Sequence, residues 1–165
     1  MTTTFTRRGF MATTSGLLVL TPQLLAAQET LEIQMLNKHP EDSKQRMVFY
    51  PLIQVVQPGS TVLFKSVDKG HNSEIIKDMI PEGAEAWKSK ISKDLEVTLD
   101  VPGFYGYKCT PHQSQGMVGL IVVEGAGKMD NLETARGVKH RGKAKGIWED
   151  IWAQAEADGL LQATA

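Results

Sequence analysis

The sequence predicts an all-β fold, a sandwich or barrel of seven or eight short strands, with two helices at its C-terminal end. Three observations predict it. Short apolar or alternating runs recur between residues 31 and 123. Turn signals such as Pro58-Gly59 and Pro102-Gly103 separate them. After Glu124-Gly125 the strand patterning stops and a helical period replaces it. Short strands at this spacing are the signature of a sandwich or barrel, and no longer repeat competes with that reading.

Leu31-Glu32-Ile33-Gln34-Met35 alternates apolar and polar residues, as a strand with one face in a core must. Met47-Val48-Phe49-Tyr50 and Ile53-Gln54-Val55-Val56 follow, rich in the aromatic and β-branched residues that fit a pleated surface. Pro58-Gly59 then turns the chain into Thr61-Val62-Leu63-Phe64. Leu95-Glu96-Val97-Thr98-Leu99 alternates again, and Pro102-Gly103 leads into Phe104 to Cys109. Met117 to Val123 is almost unbroken apolar sequence, which predicts a strand covered on both faces. Beyond it, Asn131 to Arg136 reads as a short helix with Asp130 as its N-cap. Residues 143–158 read as a longer helix, with Ile147, Ile151 and Ala155 spaced i, i+4, i+8 and Trp148 and Trp152 beside them. That stripe is expected to pack on the sandwich, with a partner-binding face as the alternative. Gly159 is the expected C-cap, and Leu160 to Ala165 are expected to fray.

Composition narrows the function. A net charge of −1 excludes a polybasic nucleic-acid binder, and a single cysteine excludes a disulfide within the chain. The first residues have the order of an export signal: Arg7-Arg8, a short apolar run Leu17-Leu18-Val19-Leu20, and small residues at Ala26-Ala27. The paired arginines with Phe10 two places on resemble a twin-arginine leader. The expected organisation is therefore a leader over 1–27, cleaved near Ala27, and one domain over 28–165. Within it, 28–126 form the sandwich and 127–165 the helical extension. No later run is long and apolar enough to span a membrane.

The lone cysteine stands in an unusual setting. Cys109-Thr110-Pro111-His112 is followed by Met117, which places thiolate, imidazole and thioether at C-x2-H-x4-M. His71 follows the turn-like Asp68-Lys69-Gly70 and offers a second imidazole from a strand elsewhere in the sandwich. By strand parity Cys109 shares a face with Tyr105 and Tyr107, so an inward face aims the sulfur into one end of the sandwich. Two imidazoles, one thiolate and a weak axial thioether suit a blue-copper centre. Zinc is the rival, but methionine is a poor zinc ligand, and no neighbouring general base supports a zinc hydrolase. Pro111 lacks an amide proton, so fewer hydrogen bonds compete beside His112. His39 and His140 stand among Lys38, Pro40, Lys139 and Arg141 and read as exposed non-ligands.

The sequence resembles the pseudoazurins, small blue-copper cupredoxins of the bacterial periplasm. The resemblance is carried by Met35-Leu36-Asn37-Lys38, Met47-Val48-Phe49, Asp68-Lys69-Gly70-His71-Asn72, Met79 to Ala86, Tyr107 to His112, and Gly116-Met117-Val118-Gly119. It implies a Greek-key sandwich of about eight strands with two C-terminal helices, one type 1 copper per chain, and His71, Cys109, His112 and Met117 as its ligands. It further implies that Asn72 bonds across to the cysteine loop, that Met47 packs near the exposed imidazole, and that Lys38, Lys69, Lys88 and Lys108 dock partners. The implied function is transient single-electron transfer by a periplasmic monomer rather than an enzyme. Cytochrome-type proteins are the implied donors, and nitrite reductase or nitrous-oxide reductase the implied acceptors. Copper delivery or buffering is the alternative use of the same ligands; the scattered methionines do not favour it. Two departures stand out: the loop from His39 to Arg46 is longer than usual, and Gln113-Ser114-Gln115 makes the surface beside His112 more polar.

Overall fold

The computed structural model describes residues 31–163. The expected leader and its cleavage near Ala27 lie outside the described residues, as do the last two positions. Among the described residues eight strands run in order: β1 Leu31–Lys38, β2 Arg46–Tyr50, β3 Ile53–Val56, β4 Ser60–Lys65, β5 Glu74–Ile75, β6 Leu95–Leu99, β7 Gly103–Lys108 and β8 Val118–Val123. Helices α1 Leu132–Gly137 and α2 Lys143–Ala157 follow. The strands form two four-stranded sheets, ordered β2-β1-β4-β6 and β3-β8-β7-β5. The β1–β4 and β3–β8 pairs are parallel, and the other pairs antiparallel. The expected all-β fold is therefore a sandwich, closed by two C-terminal helices.

Side-chain alternation explains where each strand sits. Ile33 and Met35 of β1 and Val62 and Phe64 of β4 enter the core between the sheets, while Glu32 and Glu96 stay in water. β8 is buried at all six positions because both of its faces are covered. Ile121 and Val123 join the inter-sheet core, and Val118, Leu120 and Val122 face the helices. Gly119 lies opposite Tyr107, and a Cβ there would come within 2.4 Å of the Tyr107 hydroxyl oxygen, so the ring occupies the space a side chain would need.

One strand escapes the sequence pattern, and three expectations change. β5, with only two residues, is too short to show a period. The short helix begins at Leu132, after a 3-10 turn over Lys128–Asn131 that takes in Asp130, and no side chain caps it. Asn131 is engaged elsewhere: its Oδ1 accepts the Phe104 amide at 3.0 Å and its Nδ2 donates to the Phe104 carbonyl at 2.8 Å, stitching the extension to β7. Gly159 lies one residue past the Asp158 cap in the left-handed region, at φ 72°. The Gly159 amide reaches the Glu156 carbonyl and the Leu160 amide the Ala155 carbonyl, the double bond of a Schellman ending. Leu160 and Leu161 then pack against the helix-covered core instead of fraying. The stripe on α2 packs as expected, with Ile151, Ala155, Trp148 and Trp152 buried and Ile147 half-buried against the same core.

Candidate metal centre

The turn signals that bracket β7 and β8 bring the ligand-type residues together at one end of the sandwich. Cys109 directly follows β7, and the chain returns to β8 at Val118. Between them the Met117 carbonyl accepts the Cys109 amide at 3.0 Å, and the His112 carbonyl accepts the Met117 amide at 3.2 Å. A 3-10 turn over Gln113–Gln115 ends at Gly116 with φ 99°, a conformation glycine adopts without steric cost. His71 arrives from the β4–β5 loop, a correction to the strand position expected for it. Its carbonyl accepts the Ser92 amide at 2.8 Å, and Ser92 Oγ accepts the Gly70 amide at 2.9 Å, so the loop is pinned from the far side.

Three donor atoms converge. His71 Nδ1 lies 3.1 Å from His112 Nδ1, and Cys109 Sγ lies 3.8 Å from His71 Nδ1 and 3.5 Å from His112 Nδ1. Metal bonds of about 2.0–2.3 Å in a trigonal plane separate such donors by about 3.5–3.8 Å, close to this triangle. Asn37 Oδ1 sits 3.0 Å from His71 Nε2, which sets that nitrogen as the protonated one and leaves the Nδ1 lone pair facing inward. Asn37 is itself fixed by its amide, which donates to Asp68 Oδ2 at 2.6 Å. His71 and Cys109 are fully buried and His112 half-buried, so the centre meets solvent through the His112 side. Burial, then the neighbouring His112, pushes the His71 imidazole down, which favours the neutral, metal-binding form. Burial pushes the Cys109 thiol up, opposed by the backbone amides of Asn72 and His112. The donor set and its spacing fit one type 1 copper, for which two nitrogens and a thiolate are the characteristic plane.

The remaining expected residues take varied positions. Met117 is fully buried in the same core cluster as Cys109. Met47 packs half-buried on that cluster with φ 55°, a left-handed conformation that is uncommon for a long side chain. Asn72 crosses to the cysteine loop: its Oδ1 accepts the Thr110 amide at 2.8 Å, and its Nδ2 donates to Thr110 Oγ1 at 3.0 Å. Pro111 is exposed beside His112. Lys38, Lys69 and Lys88 are exposed and Lys108 half-buried; Lys88 pairs with Glu74 at 3.2 Å. His39 and His140 stay out of the cluster but are half-buried rather than exposed. His39 meets the Tyr50 ring edge-on, and its Nδ1 accepts the Glu41 and Asp42 amides; His140 stacks on Trp148. The segment between β1 and β2 is thus a hydrogen-bonded turn, closed by the His39 amide on the Gln45 carbonyl at 3.0 Å. Asn37 and Glu74 are the partners that sequence reasoning missed. Asn37 lies in Met35-Leu36-Asn37-Lys38, whose resemblance implies no role for it, and no local pattern marks Glu74.

Comparison with known proteins agrees with this chemistry. A family model of copper-binding proteins, the plastocyanin/azurin family, matches residues 35–124. A pseudoazurin of Methylorubrum extorquens is 36% identical over 149 residues, covering 90% of this chain and 97% of that protein. One from Paracoccus pantotrophus is 42% identical over 134 residues, covering 81% and 88%. The solved structure of a Sinorhizobium pseudoazurin superposes with a TM-score of 0.71 at 45% identity, covering 78% of this chain and 97% of that one. The sandwich, the His71–Cys109–His112 cluster and these relatives together show that the chain belongs to the pseudoazurins, blue-copper electron-transfer proteins of the plastocyanin/azurin family.

Proposed function

We propose that the chain is a diffusible periplasmic carrier of single electrons, in which His71, Cys109, His112 and Met117 hold one type 1 copper. The convergence of two Nδ1 atoms and one Sγ at a buried sandwich end carries this reading. Copper bound there supplies a one-electron Cu(II)/Cu(I) couple. The protein's part is to hold the donors. Cys109 and His71 are fully buried, and backbone hydrogen bonds tie Met117 to both Cys109 and His112. A scaffold this constrained keeps both oxidation states near one geometry, so little rearrangement opposes transfer. Four protein donors leave no open position for a substrate, which argues for a carrier rather than an enzyme. The half-buried His112 ring is the exit for electrons. Residues 1–27 serve as a twin-arginine-like leader, and 28–165 as one monomeric domain. Among the described residues no helix is long and apolar enough to cross a membrane.

The partners proposed are cytochrome-type donors and the denitrification reductases, nitrite reductase or nitrous-oxide reductase. They meet the carrier transiently at a surface where Lys38, Lys69, Lys88 and Lys108 steer an acidic face. Stopped-flow oxidation of the reduced protein by a copper nitrite reductase tests this. The expected result is a second-order rate that falls steeply with ionic strength, with copper retained through repeated cycles. A rate indifferent to salt contradicts the lysine docking, and loss of copper to the acceptor favours delivery.

A further inference from the structure

Glu74 opens β5 opposite Lys108 in the β5–β7 register. Its carboxylate is divided between two neighbours: Oε2 accepts the Thr110 hydroxyl at 2.5 Å, and Oε1 accepts Lys88 Nζ at 3.2 Å. Thr110 immediately follows Cys109, and its other bonds run to Asn72. The direction of the hydroxyl proton is fixed by elimination. Asn72 Nδ2 can only donate, so the single Thr110 proton goes to Glu74. A hydroxyl donating to a carboxylate is charge-assisted and roughly twice as strong as a neutral bond. The Glu74 side chain is only 22% exposed, whereas Lys88 is 61% exposed. The Thr110 hydroxyl, with Lys88 and Lys108 adding to it, holds the Glu74 carboxyl below the usual carboxylate range, so it stays ionised. One anion therefore touches the residue beside the metal-binding cysteine and a lysine of the expected docking face, and lies opposite a second.

We propose that Glu74 is a positioning residue that locks Thr110 and the cysteine loop, and that through this link the charge state of the Lys88–Lys108 face biases the Cu(II)/Cu(I) equilibrium. An acidic partner that draws Lys88 away from Glu74 leaves the carboxylate less neutralised and favours the oxidised centre, so docking itself promotes electron release. The inference rests on the blue-copper reading above.

The test is a double-mutant cycle on the copper-loaded, partner-free protein, reading the midpoint potential and the visible spectrum. Glu74→Gln keeps the shape and removes the charge. It should leave the blue band in place and shift the equilibrium about threefold toward Cu(I), about 28 mV at 59 mV per decade. Lys88→Gln should shift it the opposite way, and that shift should vanish in the Glu74→Gln background. In the metal-free protein, the Thr110 hydroxyl proton should be protected from exchange and visible by NMR, and should lose protection in Glu74→Gln. Glu74→Asp, which keeps the charge but withdraws it from Thr110, should likewise lose both the protected proton and the coupling to Lys88. A wild-type protein with no blue band overturns the copper reading and this inference together. A blue wild type whose Lys88→Gln shift is undiminished in Glu74→Gln overturns this inference alone.

Discussion

Among the described residues, two hydrophobic regions lie on the opposite faces of the second sheet. Between the sheets, Phe49, Phe64, Tyr105, Tyr107 and Trp87 surround Cys109 and Met117. On the outer face of the second sheet, Trp148, Trp152, Ile151 and Ala155 of α2 cover Val118, Leu120 and Val122 of β8. Both are dense and dry, yet only the first contains chemistry. The inter-sheet core orients the metal donors, because its aromatic rings meet at centroid distances of 4.8–6.4 Å around the residues that precede Cys109. The helix-covered core removes apolar area from water and keeps the outer face of β8 dry. The two regions touch the ligand loop differently. α2 meets it only at its rim, where a Cβ on Gly142 would lie 2.8 Å from the Ser114 carbonyl and one on Gly116 3.1 Å from Ile147. Burial alone therefore does not make a site; the loops at the end of one core do.

Substitutions can break this contrast. Cys109→Ser should have the largest effect: complete loss of the intense visible band on copper addition, read by absorption, with the fold retained. Trp148→Ala should do the reverse. It empties a side chain only 2% exposed in the helix-covered core and should cost about 3–5 kcal/mol in urea unfolding, while the band position stays put. Gly119→Ala tests the sheet between the two regions. Its methyl would collide with the Tyr107 ring, so a loss of about 1–3 kcal/mol is expected together with a shifted band, since Tyr107 packs in the core that holds Cys109.

Alkaline pH sharpens the contrast further, because both buried tyrosines belong to the inter-sheet core. Burial, then Asp100, pushes Tyr105 up to about 12 from 10.0, and burial pushes Tyr107 higher still. The unfolded chain loses these protons first, so their contribution is complete below pH 10 and is lost as pH rises toward 12. Urea midpoints of the metal-free protein should fall across that window, and Tyr105→Phe should remove part of the fall. The smallest effect belongs to the outer surface of α2. Lys145 and Glu149 pair at 3.7 Å with both side chains about two-thirds exposed, and Glu149→Gln should leave both stability and spectrum unchanged.

The same contrast decides what could be read from sequence. Strands β1 and β6 declare themselves by alternation because their sheet has one wet face, whereas β4 was marked by the Pro58-Gly59 turn before it. β8 reads as an unbroken apolar run because both of its faces are dry. The stripe on α2 was legible because helical period and burial coincide, but the N-terminus of α1 was not, because Asn131 bonds to β7. At the metal centre, C-x2-H-x4-M is local and so visible. His71 was found as a fourth donor, but its place on a loop was not. Asn37 and Glu74 stayed hidden because their partners lie 34 and 36 residues away, brought close only by strand pairing. The half-buried positions of His39 and His140 were hidden likewise, since polar sequence neighbours do not reveal an aromatic ring packed from elsewhere.

The central claim is that the inter-sheet core ends in a redox-active copper–thiolate centre. The most direct test is the visible spectrum of the mature protein loaded with Cu(II), followed by ascorbate and reoxidation. An intense blue thiolate-to-copper band that bleaches on reduction and returns on reoxidation is the predicted result. A colourless or merely pale protein would show that Cys109 does not bind copper as a thiolate and would contradict the account.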